Sequence, residues 1–231
     1  MDIQQRLLVI ADIGGYTRFM LASRISLIHA QQAVTSLIEA VLDGAQGLKL
    51  AKLEGDAAFF FAPAGSAGEL TAQVAEIRRR FLQRRQELVA ERMCSCAGCT
   101  QLEELTLKFV AHAGEVAVHK VRGLEELSGV DVILVHRLLK NTVPVKEYLL
   151  VTEPVRAELP AEHTAGATQV EEEVEGIGAT VAYWVETDTL AAVPGPTPPP
   201  AAPTKWWRKV VKELGALPYW VGLKKPTLTL D

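Results

Sequence analysis

Cysteine and long apolar runs are both scarce in this 231-residue sequence. Its three cysteines lie together between Cys94 and Cys99, which excludes the internal disulfide framework of a small secreted protein. No apolar stretch reaches the roughly eighteen residues that a membrane-spanning helix needs. The opening MDIQQRLLVIADIGG has an apolar run that is short for a secretory signal and ends in an aspartate. We therefore expect a cytoplasmic protein.

A strong charge of either sign is lacking as well. The net charge is −4, which argues against a nucleic-acid partner, since such proteins carry basic surfaces. The charge is nevertheless uneven. Residues 205–231 carry six Lys and Arg against Glu213 and Asp231, a net of +4, which leaves −8 for residues 1–204. The C-terminal segment is therefore a separate electrostatic unit.

What is present is the composition of an ordinary globular protein, with 48% hydrophobic and 23% charged residues. We predict one folded domain over residues 1–188, with a cysteine loop at 93–100. Residues 189–204, TLAAVPGPTPPPAAPT, predict a semi-rigid extended linker. Residues 205–231 then form a basic, aromatic, amphipathic tail.

The tail has one apolar helical face with basic residues around the rest; the face comprises Trp206, Trp207, Val210, Val211 and Leu214. Indoles beside basic side chains suit peripheral binding to a membrane with anionic lipids. The same pattern suits docking on the acidic domain of its own chain or on a partner. Docking is the favoured interpretation because the apolar face is short.

Apolar periodicity predicts the order of helices and strands. The predicted elements are a strand at 6–12, helices at 16–22 and 27–46, strands at 48–53 and 57–62, a helix at 69–91, a strand pair folded about Ala113-Gly114, a helix at 130–140, a strand at 147–152, a short helix at 153–159, and strands at 168–175 and 179–187. This order indicates an α+β fold of the ferredoxin-like βαββαβ type, an α/β sandwich with helices on one face of a mostly antiparallel sheet.

Two aspartates are candidates for metal binding. Asp12 closes the first predicted strand and is followed by Ile13-Gly14-Gly15-Tyr16-Thr17 at the start of a helix, where backbone N–H groups can approach a phosphate. Asp56 lies in a tight turn between two strands. Magnesium is commonly held by one or two carboxylates together with substrate phosphates. Taken singly, Asp12 is better explained as a helix cap and Asp56 as part of a hairpin turn; taken together with the motifs below, a shared metal site is the favoured interpretation.

The three thiols of Cys94, Cys96 and Cys99 have the spacing C-x-C-x-x-C, which allows them to coordinate one soft metal ion. We predict a structural Zn²⁺ there, with a fourth ligand from elsewhere; the alternative is free thiols in a surface loop. The histidines form no metal motif. We expect His112 to pack in the sheet and His136 to lie on a helix surface.

Several motifs, in order, resemble the class III adenylyl/guanylyl cyclases. They are VIADIGGYTRF, LAKLEGDAAFFF, FVAHAGEV, SGVDVILVHRLLKN and VEGIGATVAYW, and together they span residues 6–187. More narrowly, the chain resembles a divergent bacterial cyclase-like branch of unassigned function. The resemblance implies a cyclase-homology fold and a nucleoside triphosphate ligand.

The resemblance also implies residue roles. Asp12 and Asp56 would bind two Mg²⁺ or Mn²⁺ ions, Arg137 would stabilise the transition state, and Lys52 and Glu126 would contact the base. In such an enzyme the ribose 3′-oxygen attacks the α-phosphorus and pyrophosphate leaves. The family's site draws on two chains, so a head-to-tail homodimer is implied, with the aspartates from one subunit and the other three residues from its partner.

Two positions depart from the family's pattern. Ile133 stands where the family has a ribose-orienting asparagine, and Ile177 where it has a phosphate-binding lysine; we expect both isoleucines to pack in the core. Losing one such donor costs on the order of 10²–10³ in rate. The prediction is therefore nucleotide binding with weak cyclisation. The alternatives are a catalytically dead pseudo-cyclase that signals as a dimeric scaffold, and a metal-stapled scaffold without a small-molecule ligand.

Overall fold

The computed structural model describes residues 2–23, 27–91, 100–122 and 124–190. The predicted zinc ligands Cys94, Cys96 and Cys99 lie outside the described residues. So do the tail at 205–231 and all but the first two residues of the predicted linker.

The described residues form one eight-stranded mixed sheet packed with helices, as the sequence predicts. Seven strands run in the order β2-β3-β1-β4-β6-β8-β7, and β5 pairs with β4 beside this path. Their bounds are β1 Asp2–Gly14, β2 Lys49–Glu54, β3 Ala57–Pro63, β4 Thr106–Val121, β5 Leu124–Ser128, β6 Tyr148–Thr152, β7 Thr168–Val174 and β8 Gly178–Glu186. Only the β4–β6 pairing is parallel among them.

The central strand β1 separates two cores because its side chains alternate between the faces of the sheet. Leu7, Val9 and Ala11 belong to the core on the first face. Leu8 and Ile10 belong to the core on the second face. Asp12 continues this second series, and the alternation therefore places it on the second face near the end of β1.

The first face is covered by α1 (Tyr16–Ala22), α2 (Leu27–Gly44) and α3 (Leu70–Glu91). The amphipathic stripe predicted for α2 is buried there as Ala30, Val34, Leu37, Ile38 and Val41. Shorter elements complete the described chain: α5 (Glu153–Arg156), α6 (Ala161–Thr164) and two 3₁₀ turns at Ala67–Glu69 and Leu102–Glu104.

The helix α4 (Val130–Arg137) packs on the second face, where Leu134, Val135 and Leu138 join the core. The expectation that the helices lie on one face was therefore wrong for α4. Its position matters because it places the end of this helix on the same face as Asp12.

The predicted strand pair about Ala113-Gly114 was also wrong, because β4 runs unbroken from Thr106 to Val121. Its whole length pairs with β1, and Gly114 lies opposite Arg6. Gly114 does not form a turn but leaves space for the side chain of Asp131, because a Cβ at this position would collide with it. The chain reverses later, and β5 is a strand that the sequence did not predict.

None of the helices in the described part of the chain combines the length and apolar character needed to cross a membrane.

Candidate functional site

Asp12 is held between two strands. It lies opposite Ala57 of β3 and opposite Lys108 of β4. The Lys108 Nζ is 3.1 Å from Asp12 Oδ2, and the two side chains are 22% and 18% exposed. The same ammonium donates to the carbonyl oxygen of Leu139, 3.1 Å away. Asp12 is not a helix cap, because Gly15 occupies that position in front of α1.

Asp56 meets Asp12 at the end of β1. The Glu54-Gly55-Asp56 turn joins β2 to β3, and Gly55 has a φ of 72°, a left-handed conformation that favours glycine. The Ile13 N–H donates to the Asp56 carbonyl oxygen at 3.2 Å, which fastens this turn beside Asp12. We call Asp12 and Asp56 the aspartate pair.

Asp56 holds its proton more strongly than an ordinary aspartate does. Burial, and then the nearby negative charge of Asp12, raise the pKa of Asp56 to about 6, while Lys108 partly opposes the shift. A half-buried group with a raised pKa is typical of a functional site, although structural charge networks produce such shifts too.

The turn Gly14-Gly15 continues directly from Asp12. Gly15 has a φ of 86°, and its carbonyl oxygen accepts the N–H of Phe19 at 3.0 Å to begin α1. A Cβ at Gly14 would collide with the Thr106 hydroxyl. Gly14 therefore has no room for a side chain, and Gly15 has a backbone conformation that favours glycine.

These residues fit a hard divalent cation. Two carboxylates share the site with a single ammonium, which leaves a negative charge when Asp56 is ionised. Carboxylate oxygens are preferred ligands of Mg²⁺. Among the residues that the structure describes, no group of three or more His, Cys, Asp or Glu side chains could hold a metal. Backbone oxygens, water or substrate phosphates would therefore complete the coordination.

The other predicted site residues lie apart from the aspartate pair. Lys52 is on the edge strand β2, with a side chain that is 59% exposed and 3.7 Å from Glu54. Glu126 is on β5, opposite His119. Arg137 ends α4 and lies 3.6 Å from Glu175. Across the described ranges, no hydrogen bond or ion pair joins these three to Asp12 or Asp56.

Comparisons with known proteins place this chain in a family. Residues 34–148 match the sequence model described as a protein of unknown function (DUF2652). The uncharacterized protein Rv2561/Rv2562 of Mycobacterium tuberculosis (strain ATCC 25618 / H37Rv) is 45% identical over 198 residues, which cover 83% of this chain and 91% of the relative. This chain belongs to the family of that mycobacterial protein.

Solved structures show which fold this family has. The guanylyl cyclase Cya2 matches with a TM-score of 0.65 at 15% identity, over 80% of this chain and 92% of that chain. A class III adenylyl cyclase-like ATP-binding protein from Pseudomonas aeruginosa matches with a TM-score of 0.57 at 15% identity, over 71% of this chain and 36% of that chain. The fold is that of the class III nucleotidyl cyclases.

Within this cyclase fold, the two isoleucines that depart from the class III pattern are exposed. Ile133 is 50% exposed on α4, and Ile177 is 37% exposed in the turn between β7 and β8. The expectation that both pack in the core was wrong. Packing in the core therefore does not explain either isoleucine.

Two histidines have contacts that the sequence did not indicate. His136 was expected on a helix surface, but its ring packs edge-on against Phe59, with centroids 4.8 Å apart. Its Nδ1 donates to the Val132 carbonyl oxygen at 2.7 Å, and its Nε2 lies 3.0 Å from Glu54 Oε2. The histidine therefore links α4 to the turn that carries Asp56.

His112 is buried in the sheet, as predicted, at 6% exposure. Its Nδ1 is 2.7 Å from the Thr152 hydroxyl, and its Nε2 is 3.1 Å from Asp131 Oδ1. Asp131 also accepts the backbone N–H of Glu115 at 2.6 Å. An acidic residue in the first turn of a helix is a recognisable sequence signal, but its partners on β4 depend on tertiary structure.

Proposed function

We propose that this chain binds a nucleoside triphosphate together with Mg²⁺ or Mn²⁺ at the aspartate pair, and that it converts the nucleotide weakly to a 3′,5′-cyclic product and pyrophosphate. The observation that carries the proposal is the meeting of Asp12 and Asp56 beside the Gly14-Gly15 turn, on a fold shared with class III cyclases. A metal bound there supplies charge neutralisation at the phosphates and polarises the ribose hydroxyl.

The chain's own residues have defined tasks in this proposal. The aspartate pair holds the ions, and the backbone from Ile13 to Thr17 lies where the phosphates would enter. Arg137 stabilises negative charge on the transferring phosphorus, while Lys52 and Glu126 contact the base. Among the described residues, no hydrogen bond or ion pair joins these three to the aspartate pair of their own chain, which supports a head-to-tail homodimer as the active form.

A thermal-shift assay with Mn²⁺ and either ATP or GTP tests nucleotide binding. Saturation at about 100 times Kd stabilises a protein by about 2.7 kcal/mol, so we expect a clear rise in Tm. Asp56→Asn should abolish the rise, whereas Asp43→Asn, an exposed aspartate on α2, should preserve it. No rise with any triphosphate would refute the proposal. Mass analysis of the incubated mixture then reports whether a cyclic nucleotide forms.

A second function is favoured by the exposed Ile133 and Ile177. A chain without these donors would bind the nucleotide and metal but act as a dimeric signalling scaffold. The matching P. aeruginosa protein is described as a cyclase-like ATP-binding protein, which supports this alternative. Nucleotide binding in the thermal-shift assay without any cyclic product would favour the scaffold.

The structural Zn²⁺ at Cys94, Cys96 and Cys99 stays a separate proposal. Metal analysis of the purified protein tests it, and the absence of both zinc and iron would refute it.

A further inference from the structure

His136 contacts the β2–β3 hairpin on both sides of Asp56. Its ring packs edge-on against Phe59, three residues after the aspartate, with ring centroids 4.8 Å apart. Its Nε2 lies 3.0 Å from Oε2 of Glu54, two residues before the aspartate. One side chain of α4 therefore contacts the turn that carries Asp56 at two points.

The imidazole ring is itself fixed within α4. Its Nδ1 donates to the Val132 carbonyl oxygen, one helical turn earlier, at 2.7 Å. The other ring nitrogen is thereby directed towards Glu54, at ion-pair distance but without the alignment of a hydrogen bond. The side chains of His136 and Glu54 are only 26% and 31% exposed, so salt and water screen their interaction less than that of a fully exposed pair.

Glu54 has a second contact, which extends this connection along the hairpin. Its Oε1 is 3.7 Å from Nζ of Lys52, so the carboxylate lies between Lys52 and His136, and Arg137 follows directly in sequence. The proposed function gives Lys52 and Arg137 contacts with the nucleotide, whereas it gives Asp56 the metal. One carboxylate side chain therefore connects the two groups of residues.

We propose that Glu54 and His136 are a positioning pair, which holds the Asp56 turn in the geometry that binds a divalent cation and transmits the binding of that cation to the end of α4, where Arg137 lies. This inference rests on the proposed function of the same site. In the head-to-tail dimer of that proposal, Asp56 and Arg137 of one chain belong to different sites. The positioning pair then couples the metal of one site to the arginine of the other.

The charge of the imidazole separates positioning from electrostatics. His136 carries no negative charge, so its removal takes no attractive charge away from a cation at Asp56. Loss of a protonated imidazole would strengthen cation binding, and loss of a neutral one would leave it unchanged. Weaker cation binding by a folded variant therefore reports a changed position of the Asp56 turn.

The first test is the affinity of His136→Leu for Mn²⁺ alone, followed by the EPR signal of the free ion. Leucine keeps apolar bulk against Phe59 and removes the contact with Glu54. We expect about tenfold weaker binding, the lower end of the usual cost of losing a residue that supports a metal ligand. Glu54→Gln should weaken binding as well, and the double variant should bind no more weakly than Glu54→Gln alone, because both changes remove the same contact.

The second test asks whether the cation acts on α4 through the positioning pair. Hydrogen exchange of the full-length protein is measured by mass spectrometry with and without saturating Mn²⁺. In the wild type, Mn²⁺ should slow exchange at residues 52–59 and also, by about threefold, at residues 133–140, since binding stabilises the segments that are coupled to the site. His136→Leu, at a Mn²⁺ concentration that saturates it, should keep the protection of residues 52–59 and lose that of residues 133–140.

His163→Leu is the matched control. The Nδ1 of His163 also has a partner, the Thr71 hydroxyl at 2.8 Å, but this histidine lies on α6. The variant should bind Mn²⁺ like the wild type and keep the protection of both segments. Circular dichroism and Tm identify any variant that fails to fold, and if His136→Leu does so, Glu54→Gln takes its place in the exchange comparison.

The outcomes separate this inference from the proposed function. Unchanged or tighter Mn²⁺ binding by folded His136→Leu overturns the positioning pair and leaves the aspartate pair as the metal site. A wild-type protein that binds Mn²⁺ without protection of residues 133–140, or equal protection there in the wild type and His136→Leu, overturns the coupling to α4. A wild-type protein that binds no Mn²⁺ overturns the proposed function as well, since the aspartate pair then holds no ion.

Discussion

At the scale of single residues, Asp56 carries a cost to stability. Its pKa in the folded chain is raised from an ordinary value of 3.8 to about 6, by burial first and by Asp12 second. Between these two pH values the folded chain holds the proton more strongly than the unfolded chain. Folding stability therefore falls as the pH rises from about 4 to about 6, and it stays reduced above that range.

Replacing Asp56 with asparagine should remove this cost. After allowance for solvent screening, we expect a gain of about 1 kcal/mol at pH 8, or about 2–4 °C in Tm. The gain should vanish at pH 4, where Asp56 is protonated in the folded chain. Thermal unfolding across this pH range measures the effect. Asp43→Asn serves as the exposed control, and a variant that is less stable than the wild type at pH 8 would contradict the account.

Ile133 and Ile177 offer a gain-of-function test, because both side chains are exposed. Exposed substitutions usually change stability by less than about 0.5 kcal/mol, so Ile133→Asn with Ile177→Lys should fold normally. Each restored donor should raise cyclic-product formation by at least about tenfold.

Mass analysis of the product measures this gain. Ile28→Asn is the matched control, because Ile28 is the most exposed large hydrophobic side chain of α2. A folded double variant that forms no more product than the wild type would show that the two positions do not have these roles.

At the scale of elements, the first turn of α4 is attached to the sheet by one interlocked contact. Asp131, in the first turn of α4, accepts the Glu115 N–H at 2.6 Å and lies 3.1 Å from His112. Gly114 leaves the space that this side chain occupies. Because α4 carries Arg137 at its end, the contact also sets the position of the proposed transition-state residue.

Gly114→Ala should therefore destabilise the protein by about 1–3 kcal/mol, since the new methyl group must push Asp131 away from its partners. In an Asp131→Ala background the same substitution should cost much less, because the collision partner is gone. Chemical denaturation of the four proteins in this cycle gives the coupling energy. Strictly additive effects would contradict the interlock.

The elements show what the sequence could and could not predict. Apolar runs and helical periodicity located most strands and helices within a few residues, because these patterns are local. The same reasoning misread Gly114 as a turn, since a glycine that makes room for Asp131, seventeen residues later, looks identical in sequence to one that reverses the chain. The role of such a glycine depends on the residue that packs against it in the folded protein.

The site was predictable to a similar degree. The ordered motifs singled out Asp12 and Asp56, and the structure places the turn that carries Asp56 beside the end of β1. Lys108 gave no signal, since it is one polar residue in an alternating strand. Its contact with Asp12 depends on the register of β1 against β4, which local sequence does not determine.

At the scale of the whole molecule, three exposed apolar side chains lie around α4 and the end of β4. The apolar side chains of Val121, Val130 and Ile133 are 53%, 65% and 50% exposed at the end of β4 and on α4. Burial of such side chains favours association, and the separation of Arg137 from the aspartate pair supports a second copy as the partner.

Complementation tests this arrangement. Asp56→Asn and Arg137→Ala should each abolish product formation. When the two variants are mixed and allowed to exchange subunits, half of the dimers gain one intact site, so about a quarter of the wild-type activity should return. Mixing Asp56→Asn with Asp12→Asn should restore nothing, because both defects lie on the same half of the site. No recovery in the first mixture would place all of the residues in one chain.

The most direct measurement of the central claim is a calorimetric titration of the full-length protein with Mn²⁺, for the wild type, Asp12→Asn and Asp56→Asn. If the two carboxylates share an ion, the wild type binds Mn²⁺ with measurable heat and each single variant loses at least about tenfold in affinity, since removing either ligand breaks the pair. Equal binding by the wild type and both variants would contradict the claim, and with it the function proposed for this site.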